Sequence, residues 1–184
     1  MVTLLVLAVG MSIYLRLGAG DTSNDLEAFV AGKTTREVVS HLEQGHTGDL
    51  MFAVALPNQI QISDGEETLS LYDDAFYISI APFIHQTHEC LMHVFTSCRA
   101  ELQAVSMHVR LRDQAGNTVF EGIRETYQNG FMGFWLQKNQ AYTIEIDYEG
   151  YQGVFDFTTH DEDPTCLTDF QLAANDVEVD REGV

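Results

Sequence analysis

From about Leu50 to Phe157 the hydrophobic period is two, and turn-forming residues interrupt it at short intervals. Leu50 to Leu56 is a buried-type run, Gln59 to Ile62 alternates, and Ser63-Asp64-Gly65 turns the chain into Thr68 to Tyr72. Tyr77 to Ile84 is rich in aromatic and β-branched residues. Val105 to Arg112 alternates apolar and polar, Asp113 to Asn117 forms a turn, and Thr118 to Glu121 pairs back as a hairpin. Asn129-Gly130 introduces Phe131 to Leu136, Lys138-Asn139 turns into Ala141 to Tyr148, and Glu149-Gly150 turns into Tyr151 to Phe157. Short strands at this spacing bury their apolar faces by pairing and stacking, which predicts an antiparallel β-sandwich.

Upstream the period is helical. Leu26, Phe29 and Val30 share a face before Gly32, a stop signal; Thr34 and Glu37 then form a capping-box pattern ahead of Val38, Val39 and Leu42. Two short helices are expected between Asp21 and Gln44, stable only when packed. The fold class is therefore α+β, mainly β: short N-terminal helices followed by an antiparallel β-sandwich. Residues 21–75 read as a small helical and strand region, 76–173 as the sandwich with the cysteines, and 174–184 as an acidic tail.

Val2 to Leu15 is apolar apart from Thr3, Gly10 and Ser12. At roughly 14 residues it is shorter than the ~20 that cross a bilayer and suits a signal-peptide core. Gly18, Ala19 and Gly20 place cleavage near Asp21, although no basic residue precedes the run and Arg16 follows it. Residues 1–20 are expected to be a signal peptide or a short N-terminal anchor. The protein is then extracytoplasmic: periplasmic, secreted, or held on the outer face of a membrane through this segment alone.

Twenty-eight acidic residues face nine basic ones, a formal charge of −19. No Lys/Arg cluster breaks that field, which argues against nucleic-acid binding. The same field concentrates cations without choosing among them.

Three cysteines in an exported chain is an odd number. Either one disulfide leaves a spare thiol, or all three act together. Cys90 and Cys98 would lie about 26 Å apart on an extended segment and about 12 Å apart on a helix. Sharing an ion or a bond therefore requires irregular, bent backbone near Leu91 to Ser97. Cys166 follows the turn-forming stretch His160 to Thr165 and precedes Leu167 to Leu172, which reads as a last strand. Three thiolates suit soft Cu(I), whereas zinc would call for a fourth N or S ligand, from His88 or His93. Arg99 is placed to support a Cys98 thiolate or to pair with Glu101. Met92, Met107 and Met132 could offer thioethers but usually fill cores. There is no G-x-S-x-G, P-loop, G-x-G-x-x-G or H-E-x-x-H pattern, and no third group marks Cys90 and His93 as a nucleophilic pair.

Two resemblances add to this reading. Val109 to Asp113, Asn129-Gly130-Phe131 and Tyr142 to Ile146 resemble the carboxypeptidase-regulatory or transthyretin-like sandwich. More specifically, Ile80-Ala81-Pro82-Phe83, Gln86 to Cys90, His93, Thr96 to Leu102, Phe134-Trp135-Leu136 and Asp163 to Thr168 resemble the CueP family of periplasmic copper-binding proteins. That resemblance implies that Cys90, Cys98 and Cys166 are copper ligands; His88 and His93, read from their position beside the cysteines, are candidate supporting ligands. It also implies copper resistance, or delivery of copper to an extracytoplasmic copper enzyme as recipient. The rival expectations are a thiol-dependent Cu(II) reductase using the same cysteines, and a secreted interaction module with one disulfide and no metal.

Overall fold

The structure, a computed structural model, describes residues 23–175. Residues 1–20 and nearly all of the expected tail lie outside this range. Helix α1 spans Ser23–Val30 and α2 spans Thr35–Glu43. Gly32 between them takes φ +70°, a left-handed conformation that suits glycine. The capping box forms as the sequence predicts: the Glu37 amide donates to Thr34 Oγ1 at 3.3 Å, and the Thr34 amide donates to Glu37 Oε2 at 2.7 Å. Among the described residues, no helix is long and apolar enough to cross a membrane.

Eleven strands follow: β1 Phe52–Leu56, β2 Gln59–Ser63, β3 Thr68–Leu71, β4 Phe76–Ile80, β5 Ser106–Asp113, β6 Thr118–Glu125, β7 Met132–Leu136, β8 Ala141–Tyr148, β9 Tyr151–Thr158, β10 Cys166–Leu167 and β11 Ala173–Ala174. They form three sheets, ordered β1-β2-β3, β10-β4-β7 and β11-β9-β8-β5-β6. Among the described residues, every pairing between these strands is antiparallel except β10 with β4, which is parallel and is continued by an isolated parallel bridge between Phe83 and Gln171. The mainly β, α+β class predicted from the sequence is what the chain adopts.

The five-stranded sheet turns Met107, Val109, Leu111, Tyr142, Ile144 and Ile146 inward against Phe76, Ile78, Ile80, Met132, Phe134 and Leu136 of β4 and β7. This is the sandwich core. A second core lies on the other side of β4 and β7, where Tyr77 and Trp135 meet Leu26, Val38, Val39 and Leu42 of the helices and Ala53, Ala55, Ile60 and Ile62 of β1 and β2. All five residues of β4 are consequently buried.

Two strands differ from their sequence reading. The run Tyr77 to Ile84 leaves the ladder at Ile80, because Pro82 has no amide to donate. Of the expected last strand, Leu167 to Leu172, only Leu167 lies in a strand, at the end of β10; β11 begins just past the run and belongs to a different sheet. Between them the chain crosses the sandwich mouth and buries Leu167, Phe170 and Leu172 in its core without a continuous ladder.

Because Ile78 is fully buried at the centre of the middle sheet, Ile78→Ala should cost roughly 2–5 kcal/mol. Urea unfolding should show a lower midpoint at unchanged slope; an unshifted midpoint would contradict this packing.

Candidate metal centre

The segment between Cys90 and Cys98 contains no regular helix or named strand. Its middle instead adds to the edge of β1: the Ala55 amide donates to His93 O at 2.8 Å, and the Phe95 amide donates to Ala53 O at 2.9 Å. The chain then reverses, with the Ser97 and Cys98 amides donating to Val94 O at 3.1 and 2.8 Å. Cys98 Sγ accepts the Val94 amide at 3.2 Å and comes within 3.6 Å of Cys90 Sγ. This is the bend that the eight-residue spacing demands.

Cys166 reaches the same place through β10, where it is the register partner of Ser79. Thr165 fastens the join. Its amide donates to Leu91 O at 3.0 Å, its hydroxyl donates to Ala55 O at 2.6 Å and accepts the His93 amide at 3.2 Å, and its carbonyl accepts the Ser79 amide at 2.9 Å. Further along, the Thr168 hydroxyl donates to His88 O at 2.6 Å, and the Thr87 hydroxyl donates to Thr168 O.

The three Sγ atoms lie within 4.8 Å of one another. Cys90 and Cys166 are joined as a disulfide, with Cα atoms 5.6 Å apart, and Cys98 is a free thiol. Cys166 is buried and the other two are half-buried, on a bed of Ala81, Ala100 and Phe131. Gly130, at φ +85°, allows that bed to close: a Cβ there would stand 2.8 Å from Ala100 O. A cavity of about 490 Å³, lined by Cys90, Cys166, Glu89, Leu91, Pro164 and Thr168 among others, opens beside the disulfide.

The two histidines differ. His88 is exposed and enters the site region through its carbonyl. His93 is fully buried, packed edge-on against Phe95 and tilted against Phe131. Its Nε2 lies 3.1 Å from Glu43 Oε1. That contact is carried by charge, since neither ring nitrogen has an aligned hydrogen bond. Burial alone would lower the imidazole pKa, but the Glu43 charge and the Cys98 contact overcome it and raise it to about 9. Burial likewise pushes the Cys98 thiol up, yet its His93 contact and the Val94 amide hold it below the ordinary cysteine value.

Glu43 is a residue the sequence reading missed. Its buried carboxylate accepts from the Ser79 hydroxyl at 3.0 Å, from the Tyr77 hydroxyl, and from Asn129 Nδ2 at 3.0 Å. Burial disfavours the anion, but the His93 charge and these bonds keep its pKa below the ordinary carboxylate value. The available signal was positional: Glu43 stands four residues after Val39, on the stripe that α2 buries.

Neither role expected of Arg99 is found. Its Nη1 donates to Cys98 O at 2.7 Å, and Glu101 accepts the amides of Ile84, His85 and Gln86 instead. Met107 and Met132 fill the sandwich core, while Met92 is exposed.

Comparisons with known proteins bear on this site. The family described as "Periplasmic copper-binding protein CueP" matches residues 37–171, a span that holds all three cysteines, His88, His93 and Glu43. The crystal structure of S.CueP is similar at a TM-score of 0.76 and 28% identity, covering 85% of this chain and 99% of that one. Comparison with curated protein sequences gives no match.

A lowered thiol pKa means that half the Cys98 population is thiolate at a lower pH than for a free cysteine, near 8.5. Alkylation of Cys98 by iodoacetamide, followed against pH in the disulfide form, should inflect below that value. His93→Gln should move the inflection up; an unmoved curve would remove His93 as the cause.

Proposed function

Because the chain belongs to the CueP family of periplasmic copper-binding proteins, we propose that Cys90, Cys98 and Cys166 in their reduced form bind one Cu(I) ion. The observation that carries this reading is the convergence of three sulfurs, from segments up to 76 residues apart, within 4.8 Å. A soft ion takes thiolates in preference to the oxygen donors that hard cations need. The bed in contact with the sulfurs, Ala81, Ala100 and Phe131, is apolar. The protein works in the periplasm, where it sequesters Cu(I) or hands it to an exported copper enzyme and so contributes to copper resistance. His93 supports the Cys98 thiolate from behind and lies outside the set of mutually close ligand atoms.

A second reading is favoured by the disulfide itself. Two thiolates, each giving one electron, would reduce two Cu(II) to two Cu(I) while the Cys90–Cys166 bond forms. The neighbouring Cys98 thiol, 3.6 Å from Cys90, remains to hold a Cu(I) product.

The deciding experiment is an anaerobic titration of the reduced protein with Cu(I) against a competing chelator. Each of Cys90→Ser, Cys98→Ser and Cys166→Ser should weaken binding by more than the roughly ten- to hundredfold typical of outer-shell changes. A silent substitution among the three would leave a disulfide-bonded module with a spare thiol. Adding Cu(II) while counting free thiols tests the second reading: reduction without thiol loss would exclude it.

A further inference from the structure

We infer that Glu43 is the positioning residue of this centre, a single buried carboxylate that clamps all three cysteine-bearing segments in register. The inference rests on the copper reading above, but its geometry stands independently of it.

Three of the groups that meet Glu43 lead to a cysteine-bearing segment. Ser79, which donates to Oε1, is the β4 residue paired with Cys166. His93, whose ring meets the same oxygen, lies between Cys90 and Cys98 and is pinned at both ends of its peptide by Thr165 and Ala55. Asn129, which donates to Oε2, holds the Ala100 amide at 2.7 Å through its carbonyl, two residues beyond Cys98. Its side-chain oxygen also accepts the amide of Phe131, the aromatic floor under the sulfurs, at 3.0 Å.

Docking of α2 does not by itself require a carboxylate there. Val38, Val39 and Leu42 already bury an apolar stripe, and a buried anion costs desolvation that an apolar residue would avoid. What the carboxylate adds is direction. Its oxygens accept from groups on β4 and on the turn before β7 and meet the charge of His93 on the cysteine loop, and they fix those segments relative to one another. Glutamine cannot do the same. It has one oxygen where the carboxylate has two: its NH2 stands either against Asn129 Nδ2, whose own side-chain oxygen is held by the Phe131 amide, or against the Tyr77 and Ser79 hydroxyls and His93 Nε2.

The test compares wild type, Glu43→Gln and Leu42→Ala, the last a neighbouring α2 change that weakens packing and removes no hydrogen bond to the cysteine segments. Two quantities are read on folded protein: Cu(I) affinity by chelator competition, and the identity of the disulfide formed on oxidation, by peptide mass spectrometry. Glu43→Gln should lose roughly ten- to hundredfold in Cu(I) affinity. It should also give a mixture of Cys90–Cys98 and Cys90–Cys166 bonds. Leu42→Ala should keep wild-type affinity and the Cys90–Cys166 bond even as its Tm falls. Glu43→Gln with wild-type affinity and a single Cys90–Cys166 bond would overturn the inference, as would an equal loss in Leu42→Ala. If wild type itself takes up no Cu(I), the copper reading fails, and the disulfide pattern alone decides the role of Glu43.

Discussion

Strand β4 has solvent on neither face, and the rest of the molecule is arranged around that fact. Antiparallel sheets commonly leave one side wet, whereas here Phe76, Ile78 and Ile80 point into the sandwich while Tyr77 and Ser79 point into the second core. Two buried hydroxyls need acceptors, and α2 brings one carboxylate to both. Docking of the helices, the polar face of β4 and the register of Cys166 opposite Ser79 are therefore one constraint. A slip of one residue in β4 would exchange its faces. It would put Tyr77 and Ser79 into the sandwich core, point Ile78 at Glu43, and draw Cys166 away from its partners.

Around that strand the sulfur chemistry has few degrees of freedom. Cys98 stands 3.6 Å from one sulfur of an existing disulfide, and thiolate attack on a disulfide proceeds through such an approach. Oxidation and copper binding also exclude each other at Cys90 and Cys166, because a sulfur committed to a disulfide is not a thiolate ligand. The redox state of one bond thus sets whether the centre has one thiol to offer or three. His93 bears on the member that is free in the disulfide form: its contact favours the Cys98 thiolate there.

Much of this was legible in the sequence where periodicity or turn chemistry was strong. The Thr34–Glu37 box, the break after Val30 and the paired strands β5, β6, β8 and β9 each follow from a pattern that admits few local alternatives. The bend between Cys90 and Cys98 followed from distance once the two cysteines were taken to meet. What escaped was long-range. Strand β10 is two residues long and shows no period, so its parallel pairing with β4 left no trace. His88 and His93 read alike in the sequence, and only the addition of the cysteine loop to the β1 edge, between the small residues Ala53 and Ala55, buries one and exposes the other. Glu43 belongs to no motif, and a stripe position shows that a side chain is buried without naming what it meets.

The charge of the chain and the chemistry of its sulfurs act at different ranges. A net charge of −19 draws any cation toward the surface, and Glu89 and Asp169 at the cavity rim continue that attraction to the site. None of this discriminates. On the proposed copper reading, discrimination begins at the bed of Ala81, Ala100 and Phe131, where an arriving ion gives up water and finds sulfur in place of oxygen. A hard cation loses hydration there for donors that suit it poorly, while Cu(I) gains thiolates at the same step. Changing the surface charge would alter how fast metal arrives, and the identity of the metal retained would still be decided by three sulfurs over an apolar floor.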